Sequence, residues 1–374
     1  MAALAFGGAG ASLPPLSIGG LRIGSLRFLN RDFRDVALNG GERDGVLRVE
    51  VRSPQAQGVV SYRAQAGGGS LDLHFRHLDL PKSAPGTAAV SGNVNFSRWP
   101  RVAMTVDNLV WAGLPLGQMQ GEAHPTDAGV SIDRLHIANP DAQLDLTGQW
   151  REGGSGLTAG HVDLAIRNAG RLLARLGYPA LVQGGSGELA GDLSWTGQPQ
   201  DFALKNLGGT LHLEVRNGQF LKVNPGVGKL LGIISLQSLE RRLSLNFRDL
   251  TERGFAFDRI SATMRIADGV VYTDDFSMQG PSARVALSGL ARLNDETVQL
   301  RLKIYPHLSE SLAVAGAVAG GPLVGLGTLL AQKILSNPLE AITAQDYIVS
   351  GSWDHPDVVR PGEYASTDKD SAKP

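Results

Sequence analysis

Apolar and polar residues alternate along most of this chain. Val46–Arg52 alternates, and so do residues 71–75, 130–133, 144–147 and 211–216. The cleanest case is residues 298–304. There Val298, Leu300, Leu302 and Ile304 share one face, and Gln299, Arg301 and Lys303 share the other. A period of two with one polar face predicts half-buried antiparallel strands, not a parallel sheet covered on both sides. Turn signals at Asn39-Gly40-Gly41, Gly67-Gly68-Gly69, Asn217-Gly218 and Asp268-Gly269 are expected to join them.

A weak repeat overlies the alternation: apolar-x-Gly-x-apolar, often with Trp and a Pro turn nearby. It occurs at Val90-Ser91-Gly92-Asn93-Val94 before Trp99-Pro100, and at Leu146-Thr147-Gly148-Gln149-Trp150. It recurs at Leu189-Ala190-Gly191-Asp192-Leu193 with Trp195, and at Val349-Ser350-Gly351-Ser352-Trp353 with Pro356. Glycine inside a strand marks a bulge or bend. Repeated bends in one sense would curl the sheet into a trough; the same pattern also suits a closed sandwich.

Three stretches break the β pattern. Asn168 should cap a short helix over 168–177, with Leu172, Leu173 and Leu176 on one face and Gly177 past its end. Residues 224–239 read as a second helix, capped by Asn224 with Pro225 in the first turn. Its apolar residues include Leu230, Leu231 and Ile234. The third stretch, 309–337, is divided by Gly320-Gly321-Pro322, after which Leu323, Leu326, Leu330 and Ile334 share a face. Residues 312–331 contain no charge, enough for a membrane span by count. Their Gly, Ala and Pro content favours a buried or interfacial helical hairpin instead. These apolar faces are the candidate lipid or membrane contacts. Arg241, Arg242 and Arg248 form a charged cluster after the second helix. Their forked donors suit a phosphate headgroup, but a solvated cluster bracing a turn is the reading their composition favours.

Composition removes several function classes. Lys and Arg number 35 against 36 Asp and Glu, which gives no electrostatic case for nucleic acid or for a polybasic membrane patch. There is no Cys, so disulfides, zinc-thiolate sites and cysteine nucleophiles are excluded. Gly226, Gly228 and Lys229 resemble a phosphate loop only briefly, because Val223 and Leu230 stand where Gly and Ser or Thr are required. No G-x-S-x-G or H-E-x-x-H occurs. His74 and His77 lie three apart, which in a regular strand puts them on opposite faces. Asp274-Asp275 reads as a turn. The residues therefore predict no enzyme, no cofactor and no metal site. Arg22 is the first basic residue, so the N-terminus lacks the basic region of a signal peptide. The chain is read as the C-terminal part of a longer protein.

Ordered blocks between about residues 167 and 356 resemble the YhdP family, a branch of the AsmA-like proteins that also include TamB. The carriers are Leu173-Ala174-Arg175-Leu176-Gly177-Tyr178-Pro179 and Gly187-Glu188-Leu189-Ala190-Gly191-Asp192-Leu193-Ser194-Trp195. Further blocks are Pro225-Gly226-Val227-Gly228-Lys229-Leu230-Leu231-Gly232, Arg241-Arg242-Leu243-Ser244-Leu245-Asn246-Phe247-Arg248-Asp249-Leu250, Met278-Gln279-Gly280-Pro281 and Gly351-Ser352-Trp353. Glu240 and Asn246 depart from the family pattern, where Pro and Asp are usual, and the first 165 residues match in style alone.

The resemblance implies a mainly β fold: an elongated, curled antiparallel sheet forming an apolar groove, with a few short amphipathic helices. The expected organisation is a flexible segment over 1–15, groove repeats over 16–165, an AsmA-like domain over 166–360 and a disordered tail over 361–374. The implied function is non-enzymatic phospholipid transport between inner and outer membranes, contributing to outer-membrane lipid homeostasis. Implied partners are acyl chains, a membrane surface and other envelope proteins, in a periplasmic, membrane-associated setting. The alternative is an assembly scaffold whose sheet edge pairs with client strands.

Overall fold

The computed structural model describes residues 17–28, 31–65, 68–81, 99–153, 156–221, 255–306, 344–353 and 356–361. Alternation has become strand throughout them. The chain divides into two compact units. One comprises Met1–Leu164 and Asp192–Ala203, the other Ala165–Gly191 and Leu204–Pro374.

The first unit contains β1 (Ser17–Phe28), β2 (Arg31–Arg43), β3 (Val46–Arg52), β4 (Ala56–Arg63), β5 (Ser70–Leu80), β6 (Arg101–Trp111), β7 (Leu114–Thr126), β8 (Gly129–Ala138) and β9 (Ala142–Arg151). Most of β10 (Leu157–Ile166) follows. From β1 to β9 each strand pairs with the next, and every pair is antiparallel except β5–β6. That parallel pair departs from the all-antiparallel expectation. A parallel return needs a crossover of a dozen residues or more, and residues 81–100 provide the length.

In the second unit α1 (Ala169–Arg175) precedes β11 (Val182–Thr196, in this unit as far as Gly191) and β12 (Leu207–Phe220). An antiparallel meander follows: β13 (Phe255–Ala267), β14 (Val270–Gln279), β15 (Ala283–Arg292), β16 (Thr297–Pro306), β17 (Gln345–Ser352) and β18 (Pro356–Val359). The first predicted helix is present as expected. The Asn168 side chain accepts from the Arg171 N–H, and Gly177 at φ +93° follows the C-cap. The second and third predicted helical stretches, 224–239 and 309–337, lie outside the described residues, as do the expected N-terminal segment and almost all of the expected tail.

Tight hairpins use left-handed pairs at Asp44-Gly45, Ala112-Gly113 and Asp268-Gly269, with φ of 54° and 73°, 52° and 85°, and 49° and 73°. This is the two-residue turn whose twist matches the flanking strands. Two expected turns are instead strand interior. Asn39-Gly40-Gly41 runs inside β2, where the Asn39 side chain accepts from the Gly20 N–H at 2.7 Å beside a register slip between β1 and β2. Asn217-Gly218 runs inside β12, and Gly218 leaves room for the Phe257 ring. In both cases the polar-plus-glycine pair repairs or accommodates a ladder and does not end it.

Gly289 of β15 adopts φ +137°, and a Cβ there would collide with the Gln299 carbonyl oxygen on β16. Gly24 of β1 has nothing within 4 Å of the same position. Gly289→Ala should therefore destabilise by ~1 kcal/mol or more, and Gly24→Ala by less than about 0.5 kcal/mol. Urea midpoints followed by circular dichroism test the contrast.

Candidate functional site: an apolar sheet face

Cross-strand register sorts side chains into rows. One row in the first unit runs Leu21, Leu38, Val51, Gly58, Phe75, Val106, Met119, Ile137 and Leu144, one residue per strand from β1 to β9. The adjacent row on the same face starts at Ile18 and passes through Val49, Val60, Leu73, Met104 and Leu135 to Leu146. At a strand spacing of about 4.8 Å each row spans ~38 Å. A third row begins at Glu42 and is uncharged from Leu47 onward through Tyr62, Leu71 and Val102. Between the apolar rows, on the opposite face, lies a polar one: Asn39, Glu50, Val59, His74, Thr105, Gln120, His136 and Asp145.

Among the described residues, all strands of this unit belong to one sheet. Phe33, Val36, Phe75, Leu78, Val106 and Leu109 bury themselves against one another. Their neighbours Leu73, Met104, Val60 and Ile137 are only half-buried. Contacts also join strands that are not sheet neighbours. Phe202 packs edge-on against Trp111 of β6 at 6.1 Å and against Trp195 of β11 at 5.4 Å.

The second unit repeats the arrangement. Val215, Ile260, Met278, Val285 and Ile304 form a row that ends on Gln345. The intervening polar row is Glu214, Ser261, Ser277, Ala286, Lys303 and Asp346.

The polar face is laced by cross-strand pairs. His124 meets Asp133 at 2.7 Å, His136 meets Asp145 at 2.7 Å and His161 meets Asp192 at 2.8 Å. Arg265 pairs with Asp274 at 2.8 Å, and Glu214 is held by Arg259 at 2.7 Å and also by Arg216. Partial burial works to raise the Glu214 carboxyl, but the two arginines hold it below its usual range. His74 donates to or accepts from Thr105 at 2.6 Å, and His77 meets Asn108 at 3.3 Å.

Two sequence expectations are corrected here. His74 and His77 share the polar face, because Arg76 is an extra residue in β5 where the register with β4 slips. No group of three or more His, Asp or Glu able to hold a metal occurs among the described residues. Asp274-Asp275 sits in a bulge of β14 and is not a turn; Asp275 accepts from the Thr263 N–H at 2.7 Å. Burial raises the Asp275 carboxyl, and hydrogen bonds from Thr263 and Thr273 outweigh it and leave it low. The sequence-predicted contacts Leu230, Leu231, Ile234, Leu323, Leu326, Leu330 and Ile334, and the headgroup candidates Arg241, Arg242 and Arg248, lie outside the described residues. The rows do not stand out as a site in the sequence, where alternation is legible only strand by strand. Joining those patterns required the register.

Fold and face define the class: a mainly β, antiparallel sheet protein with one extended apolar face and one polar face. A profile of the YhdP protein family matches residues 7–358, which carries the likeness well into the N-terminal part. The chain belongs to the YhdP family. It is 27% identical over 272 residues to the intermembrane phospholipid transporter YhdP of Escherichia coli strain K12, covering 71% of this chain and 21% of that protein. The chain thus spans about a fifth of that relative's length. No solved structure matches. No helix among the described residues is long and apolar enough to cross a membrane.

The Asp192 carboxylate, chiefly through its hydrogen bond, raises the His161 imidazole above its ordinary 6.5. A raised histidine stabilises the folded state fully below the unfolded value, and that contribution fades as pH climbs through the folded value. NMR titration should place the His161 midpoint above 6.5, and Asp192→Asn should bring it down.

Proposed function

We propose that this chain conducts phospholipid between membranes along the apolar face of its sheet, without a catalytic step, and so contributes to outer-membrane lipid homeostasis from the periplasm. The observation that carries this reading is the pair of uncharged rows running from β1 to β9 on one face of the sheet. The relative's description as an intermembrane phospholipid transporter supports it.

The physics is that of a shielded path. Each methylene left in water costs ~0.8 kcal/mol, so ten cost about 8 kcal/mol. An acyl chain lying on the rows avoids most of that cost, while the headgroup stays in water at the long edge. Successive strands offer similar apolar contacts about 4.8 Å apart, which gives shallow minima and easy sliding. Direction is left to a gradient or a partner. The apolar residues Leu230, Leu231, Ile234, Leu323, Leu326, Leu330 and Ile334 are proposed membrane or lipid contacts, and Arg241, Arg242 and Arg248 proposed headgroup contacts.

Native mass spectrometry of the purified chain, followed by lipid extraction, should find several phospholipids per monomer. Leu73→Asp and Met104→Asp, on an apolar row, should reduce bound phospholipid by roughly tenfold, since an unpaired buried carboxylate is strongly disfavoured. Gln120→Asp, on the polar row, should leave it unchanged. A folded, lipid-free wild-type monomer would overturn the reading and favour a scaffold for client strands. Leu326→Asp and Leu330→Asp should weaken liposome binding while the β signal in circular dichroism persists.

A further inference from the structure

At one edge of the first unit the apolar face ends on a buried cation. Arg31 opens β2 and is only 7% exposed. Phe33 lies two residues along on the same face and belongs to the apolar cluster. The pairing of β2 with β3 begins at Ala37, and that of β4 with β5 ends at Ala56 and Leu78. Residues 31–36 and 79–81 therefore run past the ends of the two strands between them. In a flat sheet β2 and β5 would stand about 14 Å apart. Here the Arg31 guanidinium donates from Nη1 to the Pro81 carbonyl, so the two strands converge. Gln55 ties the same corner, accepting from the Arg34 N–H at 3.2 Å and from the Asp79 N–H at 2.7 Å.

The charge of Arg31 has no counterpart among the described residues. Its neighbour Asp32 is engaged by Arg27 at 2.7 Å. Asp79 and Asp35 make no ion pair with it, and Arg34 adds a second positive charge nearby. Burial, with no opposing carboxylate, pushes the guanidinium below its usual range. A guanidinium carries five N–H donors, and a single backbone carbonyl uses one. A buried charge left unpaired is expensive, and an anion that paired with it would offset part of that cost. The forked donors match a phosphate, which accepts two parallel bonds.

We propose that Arg31 anchors the phosphate of a phospholipid headgroup at this edge while the acyl chains lie on the rows beside Phe33 and Leu78. This rests on the lipid-conducting reading and adds to it a stopping point: a place where a sliding lipid is held by its phosphate. Phe28, opposite Arg31 on β1 and 58% exposed, offers apolar surface for the glycerol end of the chains.

Calorimetric titration of the full chain with dihexanoyl phosphatidic acid, dihexanoylglycerol and inorganic phosphate tests this. Arg31→Gln should weaken phosphatidic acid roughly ten- to hundredfold, leave dihexanoylglycerol within about twofold, and Arg31→Lys should fall between. Urea midpoints check folding, and the lysine variant keeps a donor toward Pro81 if the glutamine variant fails to fold. Equal loss for both lipids would make Arg31 a brace for the corner and overturn the proposal. Inorganic phosphate binding as tightly as phosphatidic acid would assign a free-anion site and overturn the headgroup source. Dihexanoylglycerol bound normally with no Arg31 effect on phosphatidic acid would overturn the anchor alone. Failure of both lipids to bind wild type would overturn the conducting reading and the anchor with it.

Discussion

Register between neighbouring strands is the constraint on which the rest depends. Side chains alternate with a period of two, so a slip of one residue would carry a whole apolar set to the polar face. The chain absorbs odd spacings locally. Phe75 and Leu78 are three apart, as are Val106 and Leu109 on the adjacent strand, and the parallel pairing aligns Phe75 with Val106 and Leu78 with Leu109. Both strands change phase at the same level. The slips against their outer neighbours, at Arg76 against β4 and between Val106 and Leu109 against β7, then keep the apolar rows in step. Bulges here preserve a face where regular pairing would break it.

Burial along the apolar face of the first unit is uneven. Burial comes from neighbours on the same face, which is why Val106 at 2% exposure coexists with half-buried Met104 two residues away. The cross-strand ion pairs opposite add little each, since most are well exposed. They do bias pairing, because like charges placed opposite one another would be unfavourable. Polar pairs thus help specify the register, and the apolar rows supply most of the cohesion. On the proposed reading, a lipid against the half-buried positions would add further burial.

Much of this was legible in the residues. The strands Val46–Arg52 and Thr297–Pro306, the Asn168 cap and the Asp268-Gly269 turn follow from local chemistry and appear where expected. The failures share one cause: they needed a partner strand. Asn39-Gly40-Gly41 has turn composition, yet its role is set by Gly20 across the ladder. His74 and His77 have their faces decided by an extra residue at Arg76, invisible until β4 is placed beside β5. The parallel β5–β6 pair depends on where a long connection returns. Arg31 reads as an ordinary strand-start arginine, and its burial arises only because β2 and β5 converge.

The same logic explains how the chain shares a family with a relative of low identity. A row position asks for the correct parity and an apolar or absent side chain. Gly58 and Gly121 satisfy it as well as Phe75 or Leu135 do. Residue identity is therefore weakly constrained along the face, while the alternation and the bulges that rephase it are strongly constrained. On the proposed reading, a path built from interchangeable positions has no chemistry to concentrate at one of them. Positions that break the degeneracy, by placing a charge on the apolar side, are where a sliding ligand would be distinguished from its neighbours. Arg31, at the edge of the face and among apolar neighbours, is such a position.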